Sequence, residues 1–176
     1  LDSTNSALFW AGSEGFSTRL TDLTLEFKEN NSENSPVPDD MWSFFPFLKN
    51  LKLIFNDSKV PSAKLFFQDL RNLTNLSSLS VAFKQSSLNQ DLFNGFINEF
   101  NECEFKLLNS ITLELNNGGN KENYQKFFGL MDKNEVIQVE SLGIILESSV
   151  SFNSDCLEDL AEKLKKVFSN GKLESL

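Results

Sequence analysis

The stretch Leu76-Ser77-Ser78-Leu79-Ser80-Val81-Ala82-Phe83 decides the fold. Its apolar residues stand at positions 1, 4, 6 and 8 of an eight-residue frame. From position 4 onward, apolar and small residues alternate, which is the period of a strand with one buried face. The same frame occurs as LTDLTLEF (20–27), LKNLKLIF (48–55), LNSITLEL (108–115) and VESLGIIL (139–146). All twenty frame positions are apolar. At 40% apolar composition, chance agreement is on the order of 10⁻⁸ before allowing for the choice of alignment. A sixth frame begins at Leu173 and Leu176.

The fourth frame position falls at Leu23, Leu51, Leu79, Ile111, Leu142 and Leu176, so successive units are 28, 28, 32, 31 and 34 residues long. Periods in this range mark stacked repeats. Each strand is followed by a polar loop and then by helical spacing. In 91–103, Leu92, Phe93, Phe96, Ile97 and Phe100 share one face. In 155–168, Leu157, Leu160, Ala161, Leu164, Val167 and Phe168 do the same. Asp155 suits its N-cap, Glu158 the N3 position and Gly171 the C-terminal stop. In 61–72, Pro61 suits the first helical position, with Leu65, Phe66 and Leu70 inward. In 122–133, Tyr124, Phe127, Phe128 and Met131 face inward. The 38–47 stretch is limited to one or two turns by Pro46.

The L-x-x-L-x-L frames, with Asn56 and Asn116 just after two of them, resemble leucine-rich repeats. The similarity is to the long ribonuclease-inhibitor-like class, in the divergent form abundant in ciliates. It implies an α/β fold: a curved leucine-rich-repeat solenoid, with a parallel sheet on the concave side and helices on the convex side. It covers 20–176 as about five repeats and the start of a sixth, with 1–19 as a degenerate repeat or N-terminal cap. It also implies an Asn ladder satisfying backbone groups between coils, interrupted where Lys28, Lys84 and Glu147 replace the Asn. A chain stopping at LESL leaves an edge for a continuing chain or a partner.

The strand period places Asp22, Thr24, Glu26, Asn50, Lys52, Ile54, Ser78, Ser80, Ala82, Ser110, Thr112, Glu114, Ser141, Gly143 and Ile145 on the concave face. These form the candidate protein-binding surface. It is small and polar at its centre, acidic on the first and fourth strands, with apolar spots at Ile54, Ala82 and Ile145. It lacks the aromatic and Arg anchors usual at interface hot spots, which favours a shallow contact.

Composition narrows the chemistry. The chain of 176 residues has no histidine, so triads, Cys-His pairs and His-ligated metals are excluded. With 16 basic and 25 acidic residues, its net charge of −9 opposes nucleic-acid backbones. Gly118-Gly119 lacks a phosphate-loop frame, and the pairs Asp39-Asp40 and Glu158-Asp159 read as first-turn helix charge. No calcium-loop spacing occurs. The segment EDLAEKLKKVF reads as a solvated helix, not a membrane surface helix. Cys103 and Cys156, both in helical patterns, read as buried free thiols, which fits an intracellular, cytoplasmic setting. No catalytic residue, metal ligand or cofactor is expected. The expected function is a non-enzymatic protein-interaction or scaffold module. A structural subunit of a large assembly, suggested by Phe9, Trp10 and Phe152, and the regulatory repeat region of a longer enzyme are the alternatives.

Overall fold

The computed structural model describes residues 19–28, 41–56, 66–68, 70–84, 89–115, 122–123, 125–127, 129, 141–146, 158 and 161–162. Five strands form one parallel sheet in sequence order: β1 (Asp22–Phe27), β2 (Asn50–Asn56), β3 (Ser78–Lys84), β4 (Ser110–Leu115) and β5 (Ser141–Leu146). The chain is therefore α/β, as the frames predict. Pairing is position for position: Leu23 lies beside Leu51, Leu51 beside Leu79, Leu79 beside Ile111, and Ile111 beside Leu142. A slip of one residue would turn each apolar row outward, so the frame fixes the register.

Below the ladder, one backbone device recurs. The carbonyl of Thr21 accepts from the amides of Lys49 (2.8 Å) and Asn50 (2.9 Å). Lys49 accepts likewise from Ser77 and Ser78, and Ser77 from Asn109 and Ser110. Each second-position carbonyl thus holds two consecutive amides of the next unit. The approach to the strands also repeats. Phe45, Leu73 and Phe105, three residues before the frame, are all buried. The amides of Leu48 and Leu76 bond the carbonyls of Phe45 and Leu73 at 3.1 Å. This extra apolar position extends the frame backward.

One face of the sheet carries the core. Every frame side chain from Leu23 to Leu115 is buried, at 9% exposure or less. Leu20, Leu142 and Ile144 are partly buried against the same core. Val139 and the side chain of Leu146 lie outside the described residues. Helix α1 (Gln90–Asn101) buries all five side chains assigned to its inner face. It starts where Asn89, in extended backbone, accepts the Leu92 amide at 3.1 Å, satisfying one of the orphan donors of the first turn.

The eighth frame position forms a ring stack. Phe27 and Phe55 lie 5.1 Å apart at 11°, and Phe55 and Phe83 5.4 Å apart at 18°. Phe66 meets Phe27, Phe55, Phe67 and Trp42 edge-on. Offset and edge-to-face contacts suit the ring quadrupole, so a Phe-rich core gains beyond area alone. Trp42 also donates its indole N–H to the Phe66 carbonyl at 2.8 Å, in a buried setting.

Three expectations need correction. The 61–72 stretch does not continue as one helix: Phe66 and Phe67 are helical and buried, but Leu70–Asn72 is a separate 3-10 turn. Its carbonyl at Leu70 is bonded by the Leu73 amide, so the chain is already turning toward β3. Cys103 lies beyond the end of α1, not inside it, although it is a buried free thiol as expected. Ala161 is exposed, not inward. Among its described residues, the 38–47 stretch holds one 3-10 turn, Met41–Phe44, within its predicted limit. Pro61, Leu65, Tyr124, Phe128, Met131, Cys156 and the remaining inward residues of 155–168 lie outside the described residues. So do 1–18 and 173–176.

Candidate functional site on the open face of the sheet

Positions 3, 5 and 7 of the frame project from the face opposite the core. Position 3 runs Asp22, Asn50, Ser78, Ser110, Ser141; position 5 runs Thr24, Lys52, Ser80, Thr112, Gly143; position 7 runs Glu26, Ile54, Ala82, Glu114, Ile145. All fifteen predicted residues are therefore brought onto one surface. Their exposure is uneven. Asp22, Thr24, Glu26, Asn50, Lys52, Ser141 and Ile145 are exposed, while Ile54, Ser78, Ser80, Ser110, Thr112, Glu114 and Gly143 are half-buried. Ala82 is the correction: it is 1% exposed and offers no apolar spot. Its methyl sits between the longer Ile54 and Glu114, its register neighbours on either side.

Charge on this face is largely tied down. Asp22 accepts the Thr21 hydroxyl at 2.6 Å and the Asn50 amide at 2.6 Å. The Thr21 hydroxyl bond first, then that of Asn50, holds the exposed carboxyl below the usual carboxylate range. Glu26 accepts from Asn56 at 2.6 Å and lies 3.7 Å from Lys28. Glu114 pairs with Lys84 at 3.0 Å. Lys52, between Thr24 and Ser80, has no ion pair among the described residues. It is the central cation of a surface of hydroxyls, amides and occupied carboxylates, with Ile54 and Ile145 as its apolar members.

Sequence reasoning missed Lys28, Asn56 and Lys84. They sit at position 9, and one further step of the same alternation places them on the open face. The repeat resemblance implies that Asn56 serves a backbone ladder; here its amide is given to the Glu26 carboxylate instead. Asn116 and Glu147 lie outside the described residues.

Gly143 has a steric role. A Cβ there would meet Thr112 Oγ1 at 2.9 Å and Cγ2 at 3.1 Å. Thr112 leans over the glycine, and β-branching restricts its escape. The position-5 row thus flattens toward β5.

Chemically, this face can hydrogen-bond an extended polar surface, with one cation to place an anionic group. Among the described residues, no group of three or more His, Cys, Asp or Glu is placed to hold a metal ion. No helix there is long and apolar enough to cross a membrane. No family model matches the chain, and neither a curated protein nor a solved structure does so at significant similarity.

Proposed function

We propose that the chain is a leucine-rich-repeat solenoid acting as a non-enzymatic protein-interaction module, with the partner on the open sheet face. One observation carries the reading: five parallel strands in unbroken register set fifteen residues of the open face in three continuous rows. Such a surface reads an extended partner through many small contacts. The partner is a protein that offers hydrogen-bonding groups and an acid for Lys52.

The test uses the whole chain as bait in an extract of its native source. Lys52→Glu with Ile145→Asp changes two exposed positions without entering the core. Loss of the main captured protein, with unchanged circular dichroism, supports the reading. Recovery of every captured protein at wild-type level places the interaction elsewhere. The solenoid itself has a separate test. Excising residues 48–75 removes one unit and joins frame to frame, so a cooperatively folding product is expected. An unfolded product counts against modular stacking.

A second reading, a permanent subunit of a larger assembly, is favoured by β5. Ile145 is 46% exposed there, and Leu142 and Ile144 are only partly buried. Sedimentation of the isolated chain separates the two. A stable monomer supports the interaction module, and association or aggregation supports the subunit.

A further inference from the structure

The N-terminal rim of the sheet differs from both of its faces. Just before the first frame position, the first four units carry Arg19, Phe47, Asn75 and Leu107. Phe47 and Leu107 are each 55% exposed, the most exposed large apolar side chains among the described residues. Their neighbours toward the core explain the direction. Phe45 and Leu48 on one side, and Phe105 and Leu108 on the other, are buried, so the residue between them points out.

The rim also gathers cations, in an acidic chain. In the first four units, the described residues at the two positions before the frame and its first two positions include Arg19, Lys49 and Lys106, and no acid. Acids begin only beyond it, at Asp22 on the sheet side and Glu104 on the helix side. Pairing follows the same division for the described lysines other than Lys52 on the open face. Lys28, Lys84 and Lys126 lie within 4 Å of carboxylates. Arg19, Lys49 and Lys106 have no ion pair among the described residues. Lys49 only biases the nearby Asp22 through space.

We infer that this rim is a docking site for an acidic segment of a partner protein that carries apolar side chains. Charge complementarity selects the partner: three cations without an ion pair among the described residues lie around two exposed apolar side chains, in a chain of net charge −9. Spacing selects its form. Two strand steps separate the units of Phe47 and Leu107, which is about 10 Å at the usual interstrand distance. A polyproline II-like peptide repeats every third residue, about 9 Å, so apolar residues at i and i+3 reach both. Asn75 lies between them, its amide donated to the Pro46 carbonyl at 2.7 Å, and ties the rim turns of adjacent units together. The rim lies outside the three open-face rows and stands apart from the function proposed above.

Fluorescence anisotropy of the full chain with labelled ten-residue peptides tests the site. The first probe is rich in Asp and Glu, with two Leu three residues apart. The second replaces every acid by Lys. The acidic probe is expected to bind at least tenfold more tightly, with affinity falling as salt rises. Phe47→Ser with Leu107→Ser, and separately Lys49→Gln with Lys106→Gln, should each weaken it about tenfold or more. Both pairs are exposed, and unchanged circular dichroism confirms folding. The open-face pair Thr24→Ala with Ile145→Ser, which leaves the charge unaltered, should change the affinity far less than either rim pair. Equal binding of both probes, no binding of the acidic probe, wild-type affinity in the folded rim variants, or loss only in the open-face pair would each overturn the proposal.

Discussion

The two faces of the same five strands obey different rules. On the inner face, large side chains meet their counterparts one unit away, ring on ring at Phe27, Phe55 and Phe83. On the open face, small polar residues lie in identical register but bond their neighbours by hydrogen bonds and ion pairs. The contrast shows that register is set from inside. The inner rows lose their packing if they slip, while the outer rows would find other polar partners. Stability and recognition can therefore vary separately within one strand.

The largest effect should come from opening the ring stack. Phe55→Ala removes a fully buried ring that touches Phe27, Phe66, Phe67 and Phe83. A loss of about 3–5 kcal/mol is expected in denaturant unfolding. Leu79→Ala or Leu113→Ala should cost about 2–5 kcal/mol. An unchanged midpoint in these variants would abolish the division between the faces. Next, Trp42→Phe keeps an aromatic ring but leaves the buried Phe66 carbonyl without the indole donor. A cost of about 1–3 kcal/mol is expected. Asn89→Ala removes the cap of α1 and should cost about 1 kcal/mol.

Open-face changes come last. Lys52→Ala, at an exposed and unpaired position, should shift stability by less than about 0.5 kcal/mol. Asp22 should titrate below the usual aspartate range, read by NMR of its side-chain carbons. Because its folded value is depressed, its contribution is present above the unfolded pKa and is lost as pH falls through the folded pKa. Asp22→Asn should remove that acid-side dependence and lower neutral-pH stability slightly, because the contribution of the charged form is lost with it. Cys103 belongs to the inner face by the same measure. Burial pushes its thiol up to about 12, so alkylation at pH 8 should be slow until the chain unfolds.

The strands were legible because alternation is a local signal, and five copies remove its ambiguity. Leu23 through Leu115 could be assigned without knowing any contact. The buried position at Phe45, Leu73 and Phe105 was nearly as periodic, apolar before every full frame but the first, where Ser17 stands, and extending the frame three residues backward would have found it. The break between Phe67 and Leu70 was harder to see. Both segments satisfy helical spacing, and the turn toward β3 depends on the backbone bond from Leu73 to Leu70. The open-face pairs were not legible. That Glu26 takes both Lys28, two residues along its own chain, and Asn56, on the next strand, depends on side-chain reach. Ala82 disappears from the surface only because Ile54 and Glu114 are larger. Size relative to a neighbour is a property of pairs of positions that no single frame contains.

The ladder also reveals how this architecture tolerates length. β1 to β3 are joined at intervals of 28 residues, yet β4 and β5 follow at 32 and 31 with the register intact. Lengthening a closed segment from 28 to 32 residues costs only about 0.1 kcal/mol of chain entropy. Insertions between strands are therefore nearly neutral, whereas one residue inserted inside a frame would invert every side chain downstream of it in that strand. The connections are free to diverge in sequence and length while the strands are held to a fixed spelling. New surfaces can arise at the margins of such a sheet without disturbing the part that keeps it folded.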